Sequence, residues 1–398
     1  MKVLDLFCGV GGLSWGFEKV GFKVIGGIDI WEKALKVFKN VHADAKVLLA
    51  DLSKLSDKEI LREFKEVDIL VGGPPCQAFS TVGKRALEDS RAWLVKEFVR
   101  VVKVLRPEVF VFENVKGFTS FAKGFLVREI LEELDKLGYN LDFEILNAVN
   151  FSVPQVRERF IIVGGLSKTV LLPRGNYIRR EKVWTFGEAT SDLPPLEAGQ
   201  KADKYFSSPK NDLQLFYRKN SENELNLHEV SFYSEKILKM MEYIPEGKSA
   251  HEVIEKIPKR FRPTSGYKNT YKRIVWNEPA PTVTRNFSVP SSSNCIHPFQ
   301  NRALSPREAA RLQMFPDDYP FEGNKQDIRV MIGNAVPLFL GLGLALRIAG
   351  TYGNYSVEDT FINKLLKTED LLYPSLKEES WRRASLIRKK LENFKSLL

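Results

Sequence analysis

The 398-residue chain has few of the residues that bind structural metals or form disulfides. Its three cysteines, Cys8, Cys76 and Cys295, are too scattered for a disulfide framework or a zinc site, and its four histidines show no metal-ligand spacing. The sequence therefore disfavours metal catalysis, and we predict no metal site. No apolar run reaches the roughly eighteen residues that a membrane helix needs, so we expect no membrane span.

The chain also lacks a charged leader with a cleavage site, because residues 1–7 already have the pattern of a strand. We therefore expect an unprocessed, cytoplasmic protein. We also expect it to be a monomer. Acidic residues are in the minority, and the formal net charge is +10. This excess favours an anionic partner such as nucleic acid, although basic proteins that bind no nucleic acid are also common.

Short apolar runs alternate with helical patterns over residues 1–165. The predicted strands cover 3–7, 23–28, 47–49, 68–71 and 109–112. Apolar residues at helical spacing predict helices over 94–105 and 126–137. The adjacent runs 141–148 and 160–163 are typical of an antiparallel pair that closes a sheet. Strands that alternate with helices predict the α/β class, with a mostly parallel sheet covered on both faces.

The composition changes near residue 167. Residues 167–300 are rich in Lys, Arg, Asn, Ser, Pro and Tyr and have weak periodicity, apart from a helical stretch over 235–241. They predict a small, irregular second domain that follows a first domain at 1–166. Residues 301–350, with an apolar helix over 338–349, are expected to complete the first domain. Residues 351–398 form a charged extension whose apolar residues have helical spacing: Leu386, Leu391, Phe394 and Leu398.

A glycine-rich turn, Cys8-Gly9-Val10-Gly11-Gly12, lies between the first predicted strand and a helix. Glycines let a backbone approach a ligand closely, and a helix N-terminus offers free N–H groups. Asp29 ends the second strand, where it can accept from ribose hydroxyls, and Asp51 follows the third, where it can accept from an adenine amino group. The set fits a nucleoside cofactor. Ser14 replaces the third glycine of the dinucleotide pattern, which counts against NAD. A tight turn that binds nothing stays an alternative. Cys8 would then be only a small buried residue in that turn.

Cys76 follows a predicted strand and the stiff pair Pro74-Pro75, whose rings fix φ and hold the next side chain in one direction. Ligand sites of open α/β sheets lie beyond the carboxyl ends of strands. A lone loop cysteine is usually inert, but this position favours a nucleophile. A free thiol has a pKa of about 8.5, so a reactive thiolate would need positive charge nearby.

Polar side chains stand at the ends of two further predicted strands. Glu113 follows a buried strand, where it is either a catalytic acid or a cap for the next turn. Arg157 and Arg159 precede the last strand, and alternation predicts that both point to one face. Two guanidinium groups on one face suit a phosphate, a carboxylate or the edge of a base, with a surface ion-pair cluster as the alternative.

Six segments in this order resemble the DNA (cytosine-5)-methyltransferase family, in particular its prokaryotic restriction-modification type. They are Asp-Leu-Phe-Cys-Gly-Val-Gly-Gly at 5–12, Pro-Pro-Cys-Gln at 74–77, Glu-Asn-Val at 113–115, Gln-Val-Arg-Glu-Arg at 155–159, the segment from Arg-Ala-Leu to Phe-Pro at 302–316, and Gly-Asn-Ala-Val-Pro at 333–337. Any one is a weak signal, whereas six in order are specific. The resemblance covers nearly all of 1–165 and 300–350, and it implies a Rossmann-like, S-adenosylmethionine-dependent methyltransferase domain.

The resemblance implies catalytic roles residue by residue. Cys76 would attack C6 of a cytosine, while Glu113 would hold N3 as a matched acid, which makes C5 nucleophilic toward the donor methyl group. Arg157 and Arg159 would steady the thiolate, Glu113 and the base. The base that removes the C5 proton is not identified.

The resemblance also implies the residues that surround S-adenosylmethionine: Phe7, Gly9, Gly11, Gly12, Asp29, Ile30, Asp51, Leu52, Pro75, Asn334 and Val336. Two of them depart from the usual family pattern. A large side chain over the adenine often stands where this chain has Ile30, and some members carry Glu in place of Asp29. Both substitutions are tolerable, but they weaken the predicted adenine contact.

A stacked cytosine cannot reach these groups, so the resemblance implies that the base flips out of duplex DNA. The loop residues implied to close over the DNA are Gln77, Ser80, Lys84 and Arg85. The target-recognition domain corresponds to 167–300, where the stretch 259–273 has six basic residues, no acids and three aromatics. Thr282 and Thr284 are implied near the phosphate of the flipped nucleotide. The predicted partners are double-stranded DNA and, functionally, a cognate restriction endonuclease.

Three other functions stay open from the sequence. A tRNA-cytosine methyltransferase shares the catalytic segments, although the size of 167–300 favours DNA. A nicotinamide oxidoreductase fits only the first turn and leaves Cys76 and Glu113 without roles. A noncatalytic DNA-binding module would be expected to lack Cys76, which is present.

Overall fold

The computed structural model describes residues 1–75, 93–173, 183–221, 224–264, 270–353 and 362, and these form two units. The first unit contains the described residues within 1–147, 158–179 and 340–398. The second contains those within 148–157 and 180–339. Most of the charged extension 351–398, including its predicted helical pattern, lies outside the described residues.

A seven-stranded sheet forms the centre of the first unit. Its strands are β1 (Lys2–Leu6), β2 (Lys23–Asp29), β3 (Lys46–Leu49), β4 (Ile69–Gly72), β5 (Val109–Val115), β6 (Asn140–Asn147) and β7 (Glu158–Gly165). The spatial order is β3-β2-β1-β4-β5-β7-β6, with β7 antiparallel to both of its neighbours and the other pairs parallel. The predicted α/β sheet, mostly parallel and closed by an antiparallel pair, is confirmed.

Helices pack on this sheet because its central strands are apolar on both faces. Ile69, Leu70 and Val71 of β4 are completely buried, and such near-continuous apolar runs are typical of parallel strands covered on both sides. The helices that precede the second unit are α1 (Ser14–Lys19), α2 (Glu32–Val41), α3 (Asp57–Glu63), α4 (Trp93–Leu105) and α5 (Phe125–Lys136). The apolar stripes of α4 and α5 join one core with strands β4 to β7, so both predicted helices are confirmed.

The strand order reverses between β1 and β4, which are parallel neighbours with Leu6 paired to Gly72. In open α/β sheets, ligands bind beyond the carboxyl ends of the strands at this reversal. The glycine-rich turn follows β1, and the Pro74-Pro75 pair follows β4. The sheet therefore brings the predicted cofactor turn and the start of the predicted nucleophile loop to the same edge.

The second unit has less regular structure, in keeping with its weak periodicity. Its elements are α6 (Phe186–Thr190), β8 (Lys201–Lys204), α7 (Asp212–Tyr217), β9 (Glu224–Glu229), α8 (Glu235–Glu242), α9 (Pro306–Leu312) and α10 (Lys325–Asn334). Its extent differs from the predicted boundaries. Residues 148–157 and 301–339 belong to this unit, and the chain returns to the first unit at residue 340 rather than 301.

Buried ion pairs explain why α9 belongs to the second unit. The Arg311 guanidinium is completely buried, and its nitrogens contact the carboxylates of Asp192 and Asp317, the latter at 2.7 Å from Nη2. Arg307, also completely buried, lies 3.3 Å from the same Asp317 carboxylate. Asp192 is 119 positions before Arg311, so no local pattern could have indicated this partner.

We expect Arg311→Met to lower the free energy of unfolding by about 3 kcal/mol, because it leaves Asp192 and Asp317 buried without their main countercharge. Urea unfolding followed by tryptophan fluorescence measures the change. Lys325→Met is the matched control: it removes an ion pair with Glu229 whose lysine is 76% exposed, and surface pairs contribute about 0–1 kcal/mol. An equal decrease in the free energy of unfolding in the two variants would show that the buried ion pairs do not stabilise the unit more than a surface pair does.

The last helix, α11 (Leu338–Tyr352), confirms the predicted apolar helix. The stretch Lys325–Tyr352, which joins it to α10, is the one candidate membrane span, by length and composition, among the residues that the structure describes. It is interrupted at 335–337, and 78% of its apolar window is buried inside the protein. The buried core helix of a globular protein passes the same test, so the stretch gives little support for a membrane span.

Candidate active site

The backbone after β1 enters the left-handed region at Phe7 (φ 56°), Gly9 (φ 52°) and Gly11 (φ 86°). Glycine adopts this conformation freely, whereas a phenylalanine is strained there, as residues at ligand sites often are. A side-chain carbon at position 11 would lie 3.1 Å from His42 Nε2, while the space beside Gly9 is open. The buried Gly12 completes the turn. The turn therefore packs tightly on one side and leaves room for a ligand at Gly9.

Asp29, at the end of β2, connects this turn to the second strand. Its Oδ2 accepts from the Gly9 backbone N–H at 2.8 Å, and its Oδ1 accepts from the Trp31 N–H at 2.9 Å. Burial raises the pKa of Asp29 above its ordinary value, against the lowering effect of these N–H donors. The next residue, Ile30, is 71% exposed. A carboxylate with an exposed apolar side chain beside it fits a ribose and the face of an adenine ring.

Asp51 and Leu52 follow β3. Asp51 Oδ1 accepts from the Ser53 N–H and hydroxyl, which lowers the pKa of Asp51 and makes it the cap of a 3-10 helix at Leu52–Lys54. Its second carboxylate oxygen lies 3.7 Å from the Lys54 ammonium, an exposed contact. The Leu52 side chain is buried in the core, so only its backbone remains for a ligand.

These residues fit S-adenosylmethionine. The glycine-rich turn would lie along the part of the cofactor that approaches the backbone. The Asp29 carboxylate would hold the ribose, and the exposed Ile30 would contact the adenine ring. Asp51 has an oxygen that can accept from the adenine amino group. Pro75 is exposed at the end of the β4 loop. Asn334 and Val336 lie at the end of α10 and just beyond it, in the second unit, and their part in cofactor binding stays a prediction.

Glu113 lies at the carboxyl end of β5, beside the loop that leads to Cys76. The residue is buried, and a side-chain carbon added at Gly73 would lie only 2.7 Å from Glu113 Oε2. The Asn114 side-chain amide donates to the Pro74 carbonyl at 3.3 Å. No role was predicted for Asn114, although its place beside Glu113 at a strand end was a usable signal. Cys76 and the predicted DNA contacts Gln77, Ser80, Lys84 and Arg85 lie outside the described residues.

Arg159 and Glu113 form a buried ion pair. Arg159 Nε lies 2.7 Å from Glu113 Oε1, and the two side chains are 11% and 9% exposed. The pair is a consequence of sheet register, because β7 runs antiparallel to β5 and brings Arg159 to the end where Glu113 stands. A guanidinium fixes the orientation of a carboxylate through directional N–H donors. Glu113 is thus a held group and not a surface cap.

Arg157 donates to other groups than Glu113 in the hydrogen bonds that the structure describes, so a shared face for the two arginines stays a prediction. β7 begins at Glu158, and strand alternation therefore does not apply to Arg157. Its guanidinium is buried in the second unit and donates to the backbone carbonyls of Val283 at 2.6 Å, Gly333 at 3.2 Å and Ala335 at 3.0 Å. These bonds connect the segment 281–284, which contains Thr282 and Thr284, to the Gly-Asn-Ala-Val-Pro segment at 333–337.

The two described cysteines are poor nucleophiles. Burial, with Asp5 and Asp29 nearby, raises the pKa of the Cys8 thiol well above its ordinary value. Burial raises the pKa of Cys295 to about 12. Since the reactive form is the thiolate, neither is available for attack near neutral pH. Within the described parts of the chain, no group of three or more His, Cys, Asp or Glu side chains is placed to bind a metal.

A cleft of about 570 Å³ lies within the second unit, and its lining includes Lys272, Thr282, Thr284, Ser292 and Asn294. Thr282 donates from its hydroxyl to the Val156 carbonyl at 2.8 Å, and the Thr284 hydroxyl accepts from the Asn286 N–H. Within the described parts of the chain, the buried Asn294 amide oxygen has no hydrogen-bond partner. The cleft therefore offers a cation, hydroxyls and an amide to one ligand.

One member of the basic stretch 259–273 has a structural role. Arg273 is buried and donates to the backbone carbonyls of Ile244, Met241 and His297. Burial lowers the pKa of Arg273 to about 10. This arginine is therefore not free for a phosphate, whereas Lys259 and Arg260 are exposed.

Comparisons with known proteins agree with these features. The family profile of C-5 cytosine-specific DNA methylases matches residues 1–348. The chain is 35% identical over 352 residues to the Type II methyltransferase M1.HphI of Haemophilus parahaemolyticus, with 87% of this chain and 86% of that protein covered. It is 34% identical over 386 residues to the Type II methyltransferase M.DdeI of Desulfomicrobium norvegicum, with 90% of each covered.

Solved structures show the same fold. One, described as a DNA modification methyltransferase encoded within an E. coli prophage, has a TM-score of 0.70 and 25% identity, and the match covers 89% of this chain and 100% of that one. The S. pombe Dnmt2 methyltransferase has a TM-score of 0.52 at 17% identity over 87% of this chain and 98% of its own, which supports the fold alone.

The match extends over most of the chain, and the predicted family resemblance is confirmed. It excludes the nicotinamide oxidoreductase and the noncatalytic module. The chain belongs to the C-5 cytosine-specific DNA methylase family: it is a DNA (cytosine-5-)-methyltransferase whose methyl donor is S-adenosylmethionine.

Proposed function

We propose that this enzyme methylates C5 of a cytosine within a short, specific sequence of duplex DNA, by base flipping and a covalent Cys76–C6 intermediate. The observation that carries the proposal is the Arg159–Glu113 pair, which packs against Gly73, three residues before Cys76. An oriented carboxyl group beside Gly73 supports a catalytic role for Glu113 next to the segment that leads to Cys76.

The chemistry follows from the weak nucleophilicity of C5 in an aromatic ring. The Cys76 thiolate forms a bond to C6, while Glu113, held by Arg159, supplies a hydrogen bond or proton at N3. C5 then has the character of an enamine carbon. S-adenosylmethionine, when bound, supplies the methyl group that C5 takes. Loss of the C5 proton to a base breaks the C6–S bond and restores both the aromatic ring and Cys76.

Base flipping is part of the proposal because a stacked cytosine exposes neither face of C6. Extrusion costs a few kcal/mol, which contacts around the opened site must supply. The loop with Gln77, Ser80, Lys84 and Arg85 is proposed to close over the strand. Arg157 is proposed to act indirectly, since its bonds to three carbonyls hold the backbone at Val283, between Thr282 and Thr284.

Target recognition is assigned to region 167–300, including the cleft. Most affinity for DNA comes from phosphate contacts, and base-edge contacts set the sequence. The relatives' names place them in Type II systems, which supports a role as the modification half of a restriction-modification system with a cognate endonuclease. We further propose that the enzyme acts in the cytoplasm as a monomer.

The function is tested by incubating a mixed-sequence duplex and tRNA, in separate tubes, with enzyme and S-adenosylmethionine, followed by bisulfite sequencing. We expect protected cytosines at one short recurrent sequence in the duplex and none in the tRNA. Protection in the tRNA alone would replace DNA with tRNA as the substrate. Protected cytosines without a common sequence would remove the assignment of specificity to region 167–300.

Lys272→Gln should weaken DNA binding and reduce the slope of log affinity against log salt by about one, because one phosphate contact is lost from the cleft. Fluorescence anisotropy with a labelled duplex at several salt concentrations measures both. Lys58→Gln, an exposed lysine on α3, is the charge-matched control and should leave the slope unchanged. An unchanged slope in Lys272→Gln would remove the cleft from the DNA interface.

A further inference from the structure

The segment 282–285 of the second unit is held from inside the protein. The Val283 N–H donates to the Gln155 amide oxygen at 2.8 Å, and the Val283 carbonyl accepts from Arg157 Nη1 at 2.6 Å. Gln155 and Arg157 are both buried. Two buried side chains therefore fix the backbone just before Thr284.

The backbone of Arg285 is fixed by the close approach of helix α10. A side-chain carbon added at Gly333 would lie 2.3 Å from the Arg285 nitrogen, so only a glycine permits this contact. In the following turn, the Thr284 hydroxyl accepts from the Asn286 N–H at 3.2 Å, and the Phe287 N–H donates to the Thr284 carbonyl at 3.0 Å. The Phe287 side chain is buried. Arg285 therefore stands at a turn whose backbone is held on both sides.

The Arg285 side chain contrasts with this fixed backbone. It is exposed, and among the described residues its guanidinium makes no hydrogen bond or ion pair. Arg273 and Arg311 of the same unit are instead buried on carbonyls and carboxylates. The sequence from 279 to 307 contains no acidic residue that could pair with Arg285 from a neighbouring position. A fixed starting point with unused donors indicates a ligand outside this chain.

A second guanidinium lies beside the same segment. Arg329 is one helical turn before Gly333 on α10, so both stand on the same face of the helix. Arg329 Nη1 donates to the Ser288 hydroxyl at 3.4 Å, and its buried Nε has no partner among the described residues. Two guanidinium groups with unused donors favour an anionic partner that is rich in acceptors, as a nucleic acid is.

We propose that Arg285 is a specificity-determining residue that reads one guanine of the target sequence. In the major groove, guanine presents its O6 and N7 acceptors side by side, and one guanidinium donates to both. A phosphate tolerates a displaced cation, whereas readout of a base edge needs a side chain whose starting point is fixed. The held backbone therefore favours the base over the phosphate. The inference rests on the proposed methylation of a specific duplex sequence.

The inference is tested by methylation of a hairpin library with randomised positions around a cytosine, followed by bisulfite sequencing. The opposite strand of each hairpin recovers the original base. Wild type should require a guanine, on either strand, at one or more positions besides the partner of the target cytosine. Arg285→Ala should accept all four bases at one such position and keep its other preferences. The discrimination lost should be roughly tenfold to a hundredfold, which is what one bidentate contact provides.

Fluorescence anisotropy at several salt concentrations separates a base contact from a phosphate contact. If Arg285 bound a phosphate, Arg285→Ala would weaken binding to all sequences, reduce the slope of log affinity against log salt by about one and leave the base preferences unchanged. That result would overturn the inference. Arg285→Lys sharpens the test, because lysine keeps the charge but lacks the planar fork. This variant should keep the salt slope and lose most of the guanine preference.

Arg62→Ala is the matched control. It removes an exposed arginine of α3 that pairs with Glu63, and it should change neither the base preference nor the salt slope. All variants should bind S-adenosylmethionine as wild type does in isothermal titrations, which shows that they are folded. A wild-type target that requires no guanine besides the partner of the target cytosine would overturn the inference alone. Methylation of the library without any recurrent sequence would instead overturn the proposed function, and the inference with it.

Discussion

Cys76→Ala should reduce methyl transfer by a factor of more than about ten thousand and leave cofactor binding unchanged. Covalent catalysis splits one difficult step into two, and removal of the nucleophile closes that route altogether. The chain has only two other thiols, Cys8 and Cys295. Both are buried, and burial raises the pKa of each, so neither can replace Cys76.

Methyl incorporation into the protected sequence identified by bisulfite sequencing measures the loss. A second duplex, with fluorine in place of hydrogen at C5 of the target cytosine, tests the covalent step, since that carbon has no proton to lose and the C6–S bond persists. Wild type should form a denaturation-resistant protein–DNA adduct on it, and Cys76→Ala should form none. Cys295→Ala is the matched control and should retain turnover. Measurable turnover by Cys76→Ala would rule out the covalent intermediate.

The sheet of this enzyme could be predicted closely because its strands are local patterns. β4 and β5 are short apolar runs that end in glycine, proline or polar residues, and both faces of a parallel sheet require such runs. The helices α4 and α5 likewise have apolar residues at helical spacing. The register of the strands was not predicted; it is the structure that shows Gly73 and Glu113 together at the ends of their strands.

Contacts between distant segments could not be predicted in the same way. Arg157 and Arg159 are two residues apart and look equivalent in sequence, yet a strand that begins at Glu158 sends one to backbone carbonyls and the other to Glu113. Arg273 looks like part of a basic patch but is buried on carbonyl groups. In each case the partner lies many residues away, and only the folded backbone decides which arginine meets it.

Asp5 shows the same limit for a single buried charge. A carboxylate inside an otherwise apolar strand is visible in the sequence, but whether it is ionised, paired or alone depends on its neighbours from α1 and β2. Among the described residues, one of its oxygens has no hydrogen-bond partner, and burial raises the pKa of Asp5 to about 7.

Glu113→Gln should lower the rate of methyl transfer by roughly a thousandfold while DNA and cofactor affinities stay near those of wild type. A positioned acid typically contributes a factor of about 10² to 10⁴, and an amide keeps the shape of the side chain but cannot give a proton to N3. Arg159 would remain beside a neutral partner, so a moderate loss of stability should accompany the loss of rate. Single-turnover kinetics with saturating DNA separates the chemical step from binding.

Glu158→Gln is the matched control for this prediction. Glu158 lies next to Arg159 in sequence, but its side chain is 43% exposed and pairs with Lys116 at 2.9 Å. Glu158→Gln should retain turnover, because Glu158 has no role in the proposed mechanism. This result would show that the removal of one negative charge near the site does not by itself stop the reaction. Near-normal turnover by Glu113→Gln would remove Glu113 from the mechanism. Similar losses in both variants would assign the effect to local charge, and Arg159 would then serve to hold the strand ends together and not to orient an acid.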